Sequence, residues 1–285
     1  MAKSEQAIVV GVTGKGQNTD ALRYAAREAS MTSRAVILVH APESMLPPLP
    51  PSLLITNDIL VEAGASVAQE VRDEFEEISQ GSVPVDIRVL PGDPGRLLGE
   101  MSGDAALLVL QHRSLSALHR LFTGSTVATA VAHAQCPVVS VPAGHDGPEK
   151  GLVVAGLLED GGPRAVAEAA FREADHRQDS LRLVHGWRLA PDYDHFLAQD
   201  GLWQEALRTS LDSVASDLSQ KYPGIEIEVN VEHDWPADVL VAASREADLL
   251  VLGRHSGSGL FAPRLGARAR AVVAHAECPV MVVPV

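Results

Sequence analysis

Short apolar runs alternate with longer amphipathic stretches along this chain. Residues 7–12 form a short apolar run, residues 20–29 have the apolar spacing of a helix, and residues 35–40 are apolar again. These lengths and periods predict a strand, a helix and a second strand. Such a unit gives a parallel strand pair with a right-handed crossover.

The rest of the first half continues this alternation after a proline-rich segment, residues 41–52, which predicts a surface loop. Residues 58–80 are amphipathic with helical spacing, and residues 83–90 have the partial alternation of a strand. Asp93 and Pro94 then predict the start of another helix, because an acid suits the cap and proline suits the first turn.

Residues 105–142 and 247–284 carry one pattern twice: a buried strand, a glycine-rich loop, a helix and a short apolar strand. Both copies contain LLVL and HAxCPV, and Cys136 and Cys278 are 142 positions apart. A repeat of this length and order indicates an internal duplication.

The duplication predicts two domains, residues 1–142 and 151–285, joined by a linker over residues 143–150 that is rich in glycine, proline and charge. The second half repeats the order of elements, with a long helix predicted over about residues 196–220. Each half then has five strands and four helices in the order βαβαβαβαβ. An open sheet of this kind binds ligands at the carboxyl ends of its strands, where the strand order reverses.

The composition suits aliphatic, parallel sheets. Hydrophobic residues make up 46% of the 285 residues and aromatic residues 4%, so we expect a core of Val, Leu, Ile and Ala. The net charge of −14 repels a phosphate backbone, so no nucleic-acid partner is expected. Two cysteines argue against a disulfide framework. No run reaches the roughly 18–20 apolar residues of a membrane span, so we expect a cytoplasmic protein without a membrane partner.

Several motifs, taken in order, resemble the universal stress protein family. They are IVVGVTG, VILVHA, the glycine loop with its G-[ST] end, and HAxCPV before a valine-rich strand. The resemblance covers nearly the whole chain, as two tandem copies. It implies an α/β fold of two tandem doubly wound parallel five-stranded sheets, with strand order 3-2-1-4-5, similar to adenine nucleotide alpha-hydrolases. It also implies a stress-response sensor that binds ATP, and domains that pair about a two-fold axis, as a pseudo-dimer within the chain or as a homodimer.

The family's nucleotide pattern, G-x2-G-x9-G-[ST], is incomplete in both halves. Glycine at these positions lets the backbone approach a phosphate, and the helix that follows presents free N–H groups. In the first half, only the last two of the four positions match: Gln111, Ser114, Gly124 and Ser125. In the second half, the first and third positions match and the hydroxyl is missing: Gly253, Ser256, Gly266 and Ala267.

ATP-binding members of the family usually carry an aspartate just after strand one. This chain has Thr13 there and, by alignment of the two halves, Leu157. The resemblance therefore implies weak nucleotide binding, and the alternative is an interaction module that has lost its nucleotide. The expected cofactor-binding residues of both halves are Gly11, Thr13, Val39, Ser114, Gly124, Ser125, Thr126, Gly253, Arg254, Ser256, Gly257, Gly266 and Ala267.

Basic residues are frequent in both loops after strand four, where they suit an anion; the alternative is a solvated loop that happens to be basic. They are His112, Arg113, His119, Arg120, Arg254, His255, Arg264 and Arg268.

The repeated His-x2-Cys could close a zinc site, but the spacing is short for zinc. A buried thiol and a histidine bonded to the last helical carbonyls explain both residues, so no metal is predicted. The chain has no nucleophile elbow, paired-carboxylate motif or GxxxxGK[ST] loop, so we expect no enzyme.

Overall fold

The computed structural model describes residues 7–42, 57–112, 126–145, 149–158, 162–188, 201–254 and 265–284. The chain divides into two compact units. Unit 1 comprises residues 1–144, and unit 2 comprises residues 145–285.

Unit 1 is a parallel sheet with helices between its strands. Its strands are β1 (Ala7–Val12), β2 (Val36–His40), β3 (Val85–Val89), β4 (Ala105–His112) and β5 (Val138–Pro142). Its helices are α1 (Thr19–Thr32), α2 (Asn57–Ile78), α3 (Pro94–Met101) and α4 (Thr126–His133). The strands follow the order β3-β2-β1-β4-β5, and every pairing is parallel. The predicted order 3-2-1-4-5 is therefore confirmed in this unit.

Unit 2 repeats the architecture. Its strands are β6 (Leu152–Gly156), β7 (Ser180–Gly186), β8 (Ile227–Glu232), β9 (Leu249–Gly253) and β10 (Val280–Val283). Its helices are α5 (Pro163–Arg177), α6 (Leu202–Ser219), α7 (Pro236–Ser244) and α8 (Ala267–His275). The order is β8-β7-β6-β9-β10 with parallel pairings, which is again 3-2-1-4-5.

The central strands are buried on both faces. Ile8, Val9 and Val10 of β1 expose at most 2% of their surface, and all five residues of β9 are buried. Parallel crossovers place helices over both faces of a sheet, and this is why these strands are continuous apolar runs. The carboxyl ends of the strands are then the natural place for a ligand.

Gly11 and Gly156 hold equivalent places at the ends of β1 and β6. A Cβ on Gly11 would lie 2.6 Å from Leu110 Cδ2, and a Cβ on Gly156 would lie 2.4 Å from Leu252 Cδ2. Real Cβ atoms do not approach so closely, so both glycines allow a leucine of the neighbouring strand to pack over the backbone. The predicted ligand residue Gly11 thus has a packing role of its own.

Helices α3 and α4 of unit 1 approach each other through two glycines spaced one turn apart. A Cβ on Gly95 would lie 2.6 Å from Thr129 Cβ, and one on Gly99 would lie 2.5 Å from His133 Cβ. Residues i and i+4 share one face of a helix, so the pair of glycines meets the pair Thr129 and His133. This contact fixes the position of the helix that follows strand four.

No helix in the described part of the chain combines the length and apolar character needed to cross a membrane.

Candidate functional site

The candidate site of each unit lies where the strand order reverses, at the carboxyl ends of β1 and β4 in unit 1 and of β6 and β9 in unit 2. In unit 1, Gly11 pairs with Leu110, and Gln111 is the next residue on β4. In unit 2, Gly156 pairs with Leu252, and Gly253 is the next residue on β9. The register therefore makes Gln111 and Gly253 equivalent.

The loop between β1 and α1 is ordered by its own polar groups. The backbone N–H of Thr13 donates to Asn18 Oδ1 at 2.7 Å, and the Thr13 hydroxyl donates to the same oxygen at 2.8 Å. Asn18 is buried, whereas Thr13 is exposed. One side-chain oxygen thus accepts both polar hydrogens of the residue at the family's aspartate position.

Glu74 of α2 holds the same loop from the other side. Its carboxylate accepts the backbone N–H of Gly16 at 2.8 Å and the Thr19 hydroxyl at 2.5 Å. Glu74 is 9% exposed, so these hydrogen bonds replace the water that the carboxylate loses. A negative charge is therefore placed beside the N-terminal end of α1.

Gln111 connects the end of β4 to the first turn of α1. Its side-chain carbonyl accepts the backbone N–H of Ala21 at 3.2 Å, and its amide nitrogen lies 3.4 Å from Asp20 Oδ2. The same Asp20 oxygen accepts the backbone N–H of Gly144 at 2.8 Å. The carboxamide of Gln111 and the carboxylate of Asp20 therefore lie together at the carboxyl end of β4.

Gly253 stands at the corresponding place in unit 2. Gly253 ends β9 and is buried, and the backbone N–H of Arg254 donates to the Val283 carbonyl at 2.9 Å. Partial burial lowers the pKa of the Arg254 guanidinium, because desolvation disfavours its charged form.

Helix α8, which follows β9 in the chain, begins with features that favour an anion. Its N-cap is Gly266, which has no side chain to satisfy the first N–H groups. The first turn contains no acid and carries two arginines, Arg268 and Arg270. Cations at a helix N-terminus oppose the helix dipole, and a bound anion would relieve that repulsion.

The structure corrects the alignment at the end of strand one. Leu157 is the counterpart of Val12, because their carbonyls accept equivalent histidines: His40 Nδ1 lies 3.2 Å from the Val12 oxygen, and His185 Nδ1 lies 2.6 Å from that of Leu157. The residue that matches Thr13 is therefore Leu158. Equivalent residues of the two halves are 145 positions apart at Gly11 and Gly156 but 142 positions apart at Cys136 and Cys278. The residue aligned with Thr13 therefore depends on where the gap between the two halves is placed.

The predicted site residues fall into three groups. At the carboxyl ends of strands one and four, or at the start of the helix that follows strand four, lie Gly11, Thr13, Thr126, Gly253, Arg254, Gly266 and Ala267. Val39 lies inside β2 between Gly11 and Arg88, and its side chain belongs to the core. Outside the described residues lie Ser114, Gly124, Ser125, Ser256 and Gly257.

Sequence reasoning missed the acceptors that surround the first turn of α1. Glu74 reaches Gly16 across 58 positions and lies among several acids of an amphipathic helix, so no local pattern distinguishes it. The histidines His40 and His185 carried a detectable signal, since both halves contain Leu-Val-His at the end of the second strand.

The His-x2-Cys repeat has a structural explanation. His133 Nδ1 donates to the Thr129 carbonyl at 2.8 Å, which confirms the predicted histidine bond at the end of the helix. Burial raises the pKa of the Cys136 thiol from 9.0 to about 11 and that of Cys278 to about 12. Among the residues that the structure describes, no group of three or more His, Cys, Asp or Glu is placed to hold a metal ion.

We expect both thiols to resist Ellman's reagent at pH 8 in the folded protein and to react within seconds in denaturant. At pKa values three or more units above the pH, the reactive thiolate is on the order of a thousandth of the thiol or less. Because these pKa values are raised by folding, the thiols stabilise the fold fully below pH 9.0, and this contribution is lost as the pH rises toward 11. Fast reaction of either cysteine at pH 8 without denaturant would contradict the buried placement.

Comparison with known proteins finds one family in both units. The model of the universal stress protein family matches residues 5–142 and again residues 152–284. A universal stress protein of Mycolicibacterium smegmatis is 30% identical over 295 residues, covering 98% of this chain and 97% of that protein. One of Mycobacterium tuberculosis is 29% identical over 299 residues, covering 96% and 94%. The crystal structure of a universal stress protein from Archaeoglobus fulgidus has a TM-score of 0.69 at 16% identity, covering 98% of this chain and 96% of that one.

Proposed function

The chain belongs to the universal stress protein family as a tandem of two family domains, and we propose that it binds an adenine nucleotide, ATP, weakly through unit 2. The observation that carries the proposal is the N-terminus of α8, where Gly266 is the N-cap and the first turn carries Arg268 and Arg270 without an acid. In this reading the protein is a stress-response sensor whose signal is the bound nucleotide.

The phosphates are assigned to the N-terminus of α8. The first N–H groups of a helix have no partner inside the helix, and the dipole favours negative charge there. Arg268 in the first turn and Arg254 at the end of β9 add two positive charges to an otherwise acidic protein of net charge −14. Favourable charge is therefore concentrated where a polyphosphate would lie.

Weak affinity is proposed because unit 2 lacks the family's acid. Leu158 stands at that position, is 4% exposed, and offers no side-chain hydrogen bond to a ribose or base. A hydrogen bond to a charged group contributes about 1.5–3 kcal/mol, so its absence lowers affinity by roughly ten- to over a hundredfold.

Isothermal titration calorimetry with ATP tests the proposal, using Arg254→Ala and a matched control. Arg245→Ala makes the same charge change in unit 2, but Arg245 follows α7 at the amino end of β9, where it pairs with Glu277 at 2.9 Å. We expect Arg254→Ala to weaken ATP binding about tenfold, since one charged contact is lost, and Arg245→Ala to leave it within about twofold.

Two results would count against this function. Equal weakening by both variants would mean that the arginines act only through the overall charge. Absence of any ATP binding by the unmodified protein, at millimolar nucleotide, would favour the alternative of an interaction module without a nucleotide. In that case the exposed Leu202, Trp203 and Trp235 of unit 2 are the first surface to test for a partner.

A further inference from the structure

We propose that unit 1 is closed to nucleotide by its own side chains, with Gln111 as the residue that excludes the ligand, so that the chain takes one nucleotide rather than two. The inference rests on the proposed function of unit 2. It concerns which unit binds and what decides it.

The carboxamide of Gln111 is held at the carboxyl end of β4 by the first turn of α1. Its oxygen accepts the Ala21 N–H at 3.2 Å. The strand register gives Gln111 the place that Gly253 has in unit 2, where the bare backbone can approach a ligand. In unit 1 that place is filled by a side chain that is hydrogen-bonded within the chain.

Two carboxylates reinforce this exclusion. Asp20 accepts the Gly144 N–H at 2.8 Å, and its side chain is only 13% exposed. Glu74 accepts the Gly16 N–H at 2.8 Å on the other side of the loop. Asp20 also lies 3.6 Å from Arg23, which compensates part of its charge, so a phosphate entering here would chiefly meet the charge of the buried Glu74, where screening by solvent is weak.

Unit 2 differs from unit 1 at two of these positions, those of Gln111 and Asp20. Gly253 stands where unit 1 has Gln111, as the strand register shows. Helices α1 and α5 both end at a C-cap in the left-handed conformation, Ser33 and Gln178. When the two sequences are aligned at these C-caps, Ala165 is the counterpart of Asp20. A glycine and an alanine therefore leave the crevice of unit 2 without the carboxamide and the carboxylate.

The test is a reciprocal exchange, Gln111→Gly in unit 1 and Gly253→Gln in unit 2. Equilibrium dialysis with ATP counts the nucleotide bound per chain, and tryptophan fluorescence locates it. All three tryptophans of the chain, Trp187, Trp203 and Trp235, belong to unit 2, and Trp187 directly follows β7 at the carboxyl end of the sheet. Binding in unit 2 is expected to change the fluorescence, and binding in unit 1 is not.

We expect the unmodified chain to bind one ATP with a fluorescence change. Gln111→Gly should add a second ATP without a further change, and Gly253→Gln should abolish the first one. The double variant Asp20→Ala/Gln111→Gly gives unit 1 the residues of unit 2 at both positions, and we expect it to tighten the second site about tenfold further, because a negative charge is removed. Gln135→Gly is the matched control, since it makes the same change at an exposed position beyond the end of α4.

The outcomes separate this inference from the proposed function. Circular dichroism first shows that Gln111→Gly and the double variant are folded. If each of them still binds only one ATP per chain, the inference is overturned and the function of unit 2 is left intact. The unmodified chain could instead bind no ATP while Gln111→Gly binds one ATP without a fluorescence change. That result overturns binding by unit 2 and supports the closing role of Gln111. Two ATP molecules in the unmodified chain overturn the inference directly.

Discussion

Replacing Phe171 by alanine is expected to lower the free energy of unfolding of unit 2 by about 3–5 kcal/mol. Phe171 lies on α5, is fully buried, and stacks on Tyr222 with ring centroids 5.6 Å apart. Few aromatic rings are available to this chain, so the aliphatic residues around Phe171 cannot fill the volume of a lost ring without moving backbone.

Tryptophan fluorescence during urea unfolding measures this effect in unit 2 alone, because the chain has no tryptophan outside that unit. Trp203→Ala is the control: it removes a larger ring, but one that is 42% exposed, and we expect a loss below about 1 kcal/mol. Equal losses in the two variants would mean that Phe171 is not the centre of a packed core. An unchanged midpoint for Phe171→Ala would contradict the fold of unit 2.

The strands and their burial were predictable because a parallel sheet covered on both faces requires continuous apolar runs. Residues 7–12 and 249–253 show this clearly, since almost every position in them is aliphatic and buried. The strand order had a different origin. The alternation of strands and helices is compatible with several orders, and the order 3-2-1-4-5 came from the family resemblance.

The end of strand one was predicted less well, for a physical reason. Between this strand and the next helix the two halves share no residue that fixes the gap, so Leu157 was placed where Leu158 belongs. What fixes the register in the structure is packing: Gly156 admits Leu252 just as Gly11 admits Leu110. A substitution designed on the sequence alone, Leu157→Asp, would put a carboxylate at a residue only 1% exposed.

The role of Gln111 was also hidden from the sequence. The missing glycine was visible as a departure from the nucleotide pattern, but its consequence depends on Ala21 and Asp20, about 90 positions away in the chain. Contacts across such separations leave no periodic signal. The sequence thus indicated that unit 1 had changed, and only the structure shows which groups Gln111 contacts.

The second large effect is expected for Gly266→Val, which should weaken ATP binding by roughly tenfold to a hundredfold. The reason is the loss of one or two charged hydrogen bonds when methyl groups separate the phosphate from the first N–H groups of α8. Gly266 has φ −56° and ψ 158°, an extended conformation that valine adopts readily, so the change introduces no backbone strain.

Calorimetry on Gly266→Val and Gly266→Ser measures the effect against a small residue at the same position. Valine is a poorer N-cap than glycine, so we expect a loss of about 0.5–1 kcal/mol in the free energy of unfolding, whereas serine can cap the helix and should not destabilise it. A serine side chain can also donate to a phosphate, so its variant should bind ATP at least as well as the unmodified protein. If the valine variant also binds ATP with unchanged affinity, the phosphates do not lie at the N-terminus of α8, and the nucleotide must be sought at another strand end of unit 2.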